Sequence, residues 1–154
     1  IMPLSSIISP LVDFAVSFII LIAMMVYYGF VPTLNILFLP VFLLLALATA
    51  LGVGLWLSAL NVKYRDFQYT VPFLIQIGLF ASPVVYASSL VPDSLRIWYG
   101  LNPMTGVIEG FRWALLGTGA PSAMVLVSVG MVIVLLVSGM FYFRRMEQYY
   151  ADIV

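Results

Sequence analysis

The sequence predicts an all-α membrane protein: a polytopic helix bundle of about four transmembrane helices, with two short re-entrant or interfacial helices on its outer side. Three observations carry this. Of 154 residues, 64% are hydrophobic and 8% charged, with a mean hydropathy of +1.18, whereas a soluble domain is about 45–50% apolar and about 25% charged. Four apolar segments each reach the roughly 20 residues that a helix needs to cross about 30 Å of hydrocarbon. The stretch that joins the last two carries helix-start signals of its own. Lipid has to cover this much apolar surface, and in lipid a helix satisfies its own backbone where an open strand does not.

The elements follow in order within a single transmembrane domain, residues 1–154. The first span covers about residues 8–30 and has no charge between Phe14 and Tyr28. A tight turn at residues 29–34 contains Pro32. The second span, about residues 35–60, is rich in Leu and Ala. A short polar, basic loop at residues 61–69 leads to the third span, about residues 67–90. Ser82-Pro83 interrupts that span, because proline removes an N–H and crowds the preceding turn. The fourth span covers about residues 122–143 and ends in a polar tail beginning Arg144-Arg145.

Between the third and fourth spans lie two short outer helices, at about residues 92–99 and 103–116. Pro92-Asp93-Ser94 starts the first and Gly100 stops it. Asn102-Pro103 starts the second: Asn is a preferred N-cap, and Pro suits the first helical position. Met104, Val107, Ile108, Phe111 and Leu115 then recur at helical spacing, with Thr105, Glu109 and Arg112 on another face. Gly117 is a natural residue to end this helix in the left-handed conformation. The helix is too short to span, so it lies at the interface or dips in and returns.

Basic residues set the orientation. Four spans put both chain ends and the 61–69 loop on one side, which holds Lys63, Arg65, Arg144 and Arg145; the other side holds Arg96 and Arg112. The bias of four to two makes the ends and the short loop cytoplasmic. The chain begins at Ile1 and is read as a piece of a longer protein cut at its N-terminus.

Several residues stand out against the apolar background. Ala46, Ala50, Gly54 and Ser58 recur every four residues and give the second span a smooth stripe for close helix approach. That stripe packs within the subunit, or else lines a pathway or a dimer seam. Asp13 sits about one turn inside the first span, at headgroup level near its cytoplasmic start. Asn61, Lys63, Tyr64, Arg65 and Asp66 form the most concentrated polar stretch; the two bases anchor the boundary, and Asp66 is placed to cap the third span. Gln76 is a lone polar group in that span. Ser82 is placed to bond a carbonyl freed by Pro83, and Tyr86 stands at the outer boundary. Trp98, Tyr99 and Trp113 form either an aromatic belt or flat faces for sugar rings. Glu109 and Arg112, three apart, pair.

Other chemistries lack their parts. The zero net charge offers no basic field for nucleic acid, and the absence of Cys and His removes thiolate and imidazole ligands and the usual general base. No phosphate-binding glycine loop and no nucleophile elbow occur in the chain.

Four segments together resemble the permease subunits of ABC exporters for lipid-linked polysaccharides and polyol phosphates, such as O-antigen, capsule and teichoic acid. They are Pro3-Leu4-Ser5-Ser6, Asn61-Val62-Lys63-Tyr64-Arg65-Asp66, Ser82-Pro83-Val84-Val85-Tyr86, and Leu101-Asn102-Pro103-Met104 leading into Gly110-Phe111-Arg112. Their order and spacing fit across nearly the whole chain. The resemblance implies a six-span permease whose first two spans, interface helix and main coupling helix precede Ile1. It implies a bacterial plasma (inner) membrane location and a working assembly of two permeases with two ATPase subunits. ATP and Mg would be bound by the ATPase, leaving no cofactor, metal or catalytic residue in this chain. The polar loop from Asn61 to Asp66 would face the ATPase side. Ser82, Pro83, Tyr86, Asn102, Pro103, Glu109 and Arg112 would belong to an outer gate, and Trp98, Tyr99 and Trp113 would offer stacking surfaces to a glycan. Membrane lipid and a lipid-linked glycan are the remaining partners. Competing readings are an export permease for a drug or a lipid, a secondary transporter, and a membrane scaffold without transport. The span interiors are nearly free of the ionisable groups that ion coupling uses.

Overall fold

The computed structural model describes residues 2–31, 33–84, 86, 90–117, 119 and 123–151. Six α-helices account for most of them: α1 (Met2–Tyr27), α2 (Leu39–Lys63), α3 (Val71–Ala81), α4 (Asp93–Gly100), α5 (Pro103–Leu116) and α6 (Ala123–Ala151). Short 3-10 helices at Leu34–Phe38 and Arg65–Tyr69 lead into α2 and α3. Parts of the expected third and fourth spans, Val85, residues 87–89 and Ser122, lie outside the described residues, as does Pro32.

Among the described residues, three helices are long and apolar enough to cross a membrane: residues Pro10–Tyr27 of α1, the stretch Leu34–Lys63, and Ala123–Glu147 of α6. The third apolar segment differs from the 67–90 stretch read from hydropathy. Its α-helix has 11 residues, Val71–Ala81, well short of the roughly 20 that a span needs. Two prolines set its limits. Pro72 stands in the first turn, where its missing N–H is harmless. Pro83 cannot continue the helix, and Ser82 is already extended (φ −99°, ψ 142°). Asp66 does not cap α3, contrary to its expected role. It falls in the 3-10 turn, and Thr70 holds the cap position without a side-chain bond.

The most extensive packing is between α2 and α6. Gly52 and Gly139 remove the side chains that would separate them: a Cβ on Gly139 would lie 3.0 Å from the Gly52 carbonyl oxygen. Trp56 donates its Nε1–H to Ser138 Oγ at 3.1 Å and stacks on Tyr142 with ring centres 4.6 Å apart. Ser138 passes its own proton to the Val134 carbonyl at 2.6 Å. Gly52 meets Leu135, and Trp56 meets Ser138 and Tyr142, so the two helices run in the same direction. Their C-terminal ends therefore carry Lys63, Arg144 and Arg145 at one end of the bundle. Their N-terminal ends meet α4 and α5 at the other.

In lipid an interhelical hydrogen bond contributes about 0.6 kcal/mol on average. Trp56→Phe keeps the stacked ring and loses the bond. It should therefore lower the unfolding midpoint in detergent only slightly, whereas Trp56→Ala, which also loses the stack, should lower it clearly.

Helix α1 is held mainly near the α4–α5 end. Met25 joins Leu39, Ala114 and Leu115 in a buried cluster, and Phe14 meets Phe111 edge-on at 5.9 Å. Farther along, a wholly hydrophobic-walled cavity of about 430 Å³ separates α1 from α2, between Pro10, Leu11 and Phe14 on one side and Leu43, Leu47 and Leu51 on the other.

Candidate functional site

The polar chemistry of the chain converges where α3 ends, α4 turns into α5, and α6 begins. Helices α4 and α5 form a hairpin whose turn is Leu101-Asn102. Asn102 has extended backbone (φ −78°, ψ 113°), and its Oδ1 accepts the Met104 N–H at 3.0 Å, the geometry of an N-cap. Pro103 fills the first turn, where no N–H is needed. Gly117 ends α5 with φ +64°, a conformation that side chains with a Cβ resist.

The other half of the Asn102 amide reaches across to α3. Its Nδ2 donates to the Ala81 carbonyl at 3.2 Å and to Ser82 Oγ at 2.9 Å. This satisfies one of the last carbonyls of α3, left without a helical partner where the helix ends. Both Ser82 and Pro83 are buried. Arg112 braces the same segment from farther along α5. Its Nη1 donates to Glu109 Oε1 at 3.0 Å, and its Nη2 donates to the carbonyls of Tyr86 at 3.3 Å and Val84 at 3.4 Å. The pair is half-buried, and the carbonyls help satisfy a guanidinium that open water would otherwise solvate. The Tyr86 hydroxyl lies 3.0 Å from the Tyr99 hydroxyl and 3.3 Å from the Phe80 carbonyl, and the two tyrosine rings meet edge-on at 6.3 Å.

Ser128 of α6 closes the arrangement and escaped the reading from sequence. Its side chain is fully buried. Its Oγ accepts the Gly106 N–H at 3.1 Å and donates to the Gly100 carbonyl at 3.0 Å, so one hydroxyl holds both arms of the hairpin. Gly106 faces it so closely that a Cβ there would lie 2.4 Å from Ser128 Cβ. Gly110 sits under the Phe42 ring, with a would-be Cβ 2.1 Å from ring carbons. Only the alignment of these small residues with their partners reveals the role; a serine in an apolar segment has no sequence signal for it. Among the described residues, Thr105 Oγ1 is the buried side-chain polar atom without a hydrogen-bond partner.

The remaining sequence candidates are placed as follows. Trp98 is 69% exposed. Tyr99 is half-buried against Tyr86, and Trp113 packs on Phe38 and Phe42 with ring centres 5.4 and 6.3 Å away. Asn61, Lys63, Tyr64 and Asp66 are exposed at the opposite, basic end, with the Lys63 ammonium 5.2 Å from the Tyr64 ring centre; the Arg65 side chain lies outside the described residues. Ala46 and Ala50 line the α1–α2 cavity, Gly54 faces open space, and Ser58 is exposed. The face of α2 that packs on α6 is roughly the opposite one, which includes Gly52 and Trp56. Asp13 is exposed about one turn inside the apolar stretch of α1 that begins at Pro10. Gln76 lines a cavity of about 560 Å³ between α3 and α5.

Residues 2–116, which include the hairpin, match the family described as ABC-2 type transporter. The chain belongs to this ABC-2 transporter family. Its family and its apolar helices make it a multi-pass membrane protein. It is 30% identical over 152 residues to the O-antigen export system permease protein RfbA of Myxococcus xanthus, covering 96% of this chain and 58% of that protein. Two Klebsiella pneumoniae proteins of the same name are 26% identical over 113 residues and 22% identical over 155 residues. These matches cover 73% and 100% of this chain and 44% and 60% of the relatives. The chain thus spans about three-fifths or less of the length of the curated relatives it matches. No solved structure matches it.

Proposed function

We propose that this chain is the membrane permease subunit of an ATP-driven exporter that moves a lipid-linked polysaccharide or polyol phosphate across the bacterial plasma membrane. The observation that carries the reading is the α4–α5 hairpin. It is capped by Asn102-Pro103 and braced by Arg112, and it crosses the end of the bundle opposite the basic residues, in a chain whose relatives are named as O-antigen export permeases.

In this reading two copies of the permease enclose the path, and two copies of an ABC ATPase bind ATP and Mg and supply the energy. The permease itself carries out no chemistry. The basic end, with Lys63, Arg65, Arg144 and Arg145, is cytoplasmic. Lys63 and its polar neighbours then face the ATPase or anionic lipid. The hairpin lies on the outer side and gates the exit, and Trp98 offers the most open aromatic face for a sugar ring. The same architecture also suits a drug or lipid exporter.

Purification from the native membrane tests the assignment. The chain should co-purify with an ABC ATPase whose turnover rises when the cognate glycolipid is added. Absence of any associated ATPase would remove the reading, and stimulation by a drug or a simple lipid in place of the glycolipid would redirect it.

A further inference from the structure

The hairpin packs firmly on α2, with Gly110 under the Phe42 ring and Trp113 against Phe38 and Phe42, and its seams toward α6 and α3 differ in construction. Toward α6 the contact is close and dry. A Cβ on Gly106 would overlap Ser128, and one on Gly100 would lie 3.0 Å from the Met124 carbonyl oxygen and 3.2 Å from Val127 Cβ. Ser128 is fully buried and holds both arms, and Thr105 and Val107 of α5 are buried with Met124, Val125 and Val132 of α6. Toward α3 the construction is the reverse. None of the described residues of α3 is buried. A cavity of about 560 Å³ lies between Pro72, Ile75 and Leu79 of α3 and Met104 and Ile108 of α5. The ties across it are polar: the Asn102 amide to Ala81 and Ser82, and the Arg112 guanidinium to the carbonyls of Val84 and Tyr86.

Opening the α6 seam would leave voids beside Gly106 and Gly100 and would strip the Gly106 N–H and Gly100 carbonyl of their partner in the interior. Opening the α3 seam exchanges a few peripheral hydrogen bonds for bonds to water or lipid headgroups. Packed elements switch between discrete arrangements and part where packing is weakest. We infer that the α4–α5 hairpin travels with α6, and with α2 on which both pack, as one body and opens by parting from α3, with the buried Ser82-Pro83 joint as the pivot. Helix α6 runs unbroken for 29 residues, so a displacement at its basic end reaches the hairpin without an intervening hinge.

The inference rests on the export reading, and the test separates the two. These 154 residues have no cysteine, and introduced pairs become unambiguous once any cysteine elsewhere in the complete transporter is replaced. Leu79→Cys with Ile108→Cys, on opposite walls of the cavity, is joined by a bis-methanethiosulfonate reagent. Gly100→Cys with Val127→Cys forms a disulfide, the Cβ positions being 3.2 Å apart, close to the usual range of about 3.5–4.5 Å. The first link should abolish export until dithiothreitol is added, and the second, compared with its own exporting reduced form, should leave export the same with and without dithiothreitol. Export unaffected by the first link, or blocked reversibly by the second, would overturn the inference. A second measurement needs no substrate and no cross-link: ATP should raise the maleimide reactivity of Ile108→Cys and leave that of Val127→Cys unchanged. An unchanged Ile108→Cys, or a rise at Val127→Cys, also overturns it. A parent that exports no glycolipid contradicts the export reading alone, and the labelling result still decides which seam opens.

Discussion

Gly106→Ala should disable the transporter by displacing the hairpin from α6. Alanine is favoured over glycine in a helix by about 0.8–1.0 kcal/mol, so on propensity alone the change would stabilise α5. The new methyl, however, would lie 2.4 Å from Ser128 Cβ and 2.8 Å from Ser128 Oγ. A Cβ cannot swing aside as the end of a long side chain can, so relief requires the two backbones to separate. Overpacking of this kind costs about 1–3 kcal/mol and sometimes more, which exceeds the propensity gain. Separation also lengthens the bonds from Ser128 to Gly106 and Gly100. The expected result is a lower unfolding midpoint and loss of transport. Gly54→Ala is the matched control: it makes the same exchange in a helix with no atom within 4 Å of the new methyl. It should leave the midpoint unchanged or slightly raised. Equal effects from the two substitutions would contradict the packing account.

Asn102→Ala should have the second largest effect. It removes an N-cap contributing about 1 kcal/mol, within a range of about 0.5–2. It also removes two bonds to the end of α3, each contributing about 0.6 kcal/mol if they behave as interhelical bonds in lipid do. Asn102→Asp separates the two roles. Its carboxylate still accepts the Met104 N–H but has no N–H to give to Ala81 or Ser82. Thermal unfolding should therefore rank Asn102→Asp between the parent and Asn102→Ala. Ligand-free ATPase activity of the purified complex should rise in both variants if the α3 tie holds a closed state. An Asn102→Asp protein identical to the parent in both measurements would reduce the residue to a cap.

The comparison of sequence with structure shows which physics is legible in an apolar chain. Capping is local, so Asn102-Pro103 and Gly117 mark the limits of α5 directly in the sequence. The Glu109–Arg112 pair is legible for the same reason, since three residues along a helix bring side chains together. Hydropathy marks which segments enter lipid but not how their helices end. Thus α3 stops at Ala81 because of Ser82-Pro83, while the apolar run in the sequence continues beyond it.

The inward faces are the least legible feature. A helix in lipid is apolar on every side, so no period separates core from exterior. Helix α2 carries small residues on two roughly opposite faces. Gly52 touches α6, whereas Gly54 faces open space, and nothing in the sequence ranks one above the other. Ser128 is hidden for a related reason. Its role exists only because the backbone of α5 approaches at Gly106, a contact between positions 22 residues apart in the chain. The tie between Asn102 and the end of α3 is similarly a product of tertiary placement, spanning 20 residues to Ser82.

The proposed activity is outward movement of a lipid-linked glycan by the exporter to which this chain would belong. The most direct measurement is to delete its gene from the native bacterium and determine on which side of the plasma membrane the lipid-linked glycan resides. The account predicts that surface glycan disappears while the lipid-linked form accumulates on the cytoplasmic face, and that restoring the gene reverses both. Unchanged surface glycan, with no accumulation inside, would contradict it.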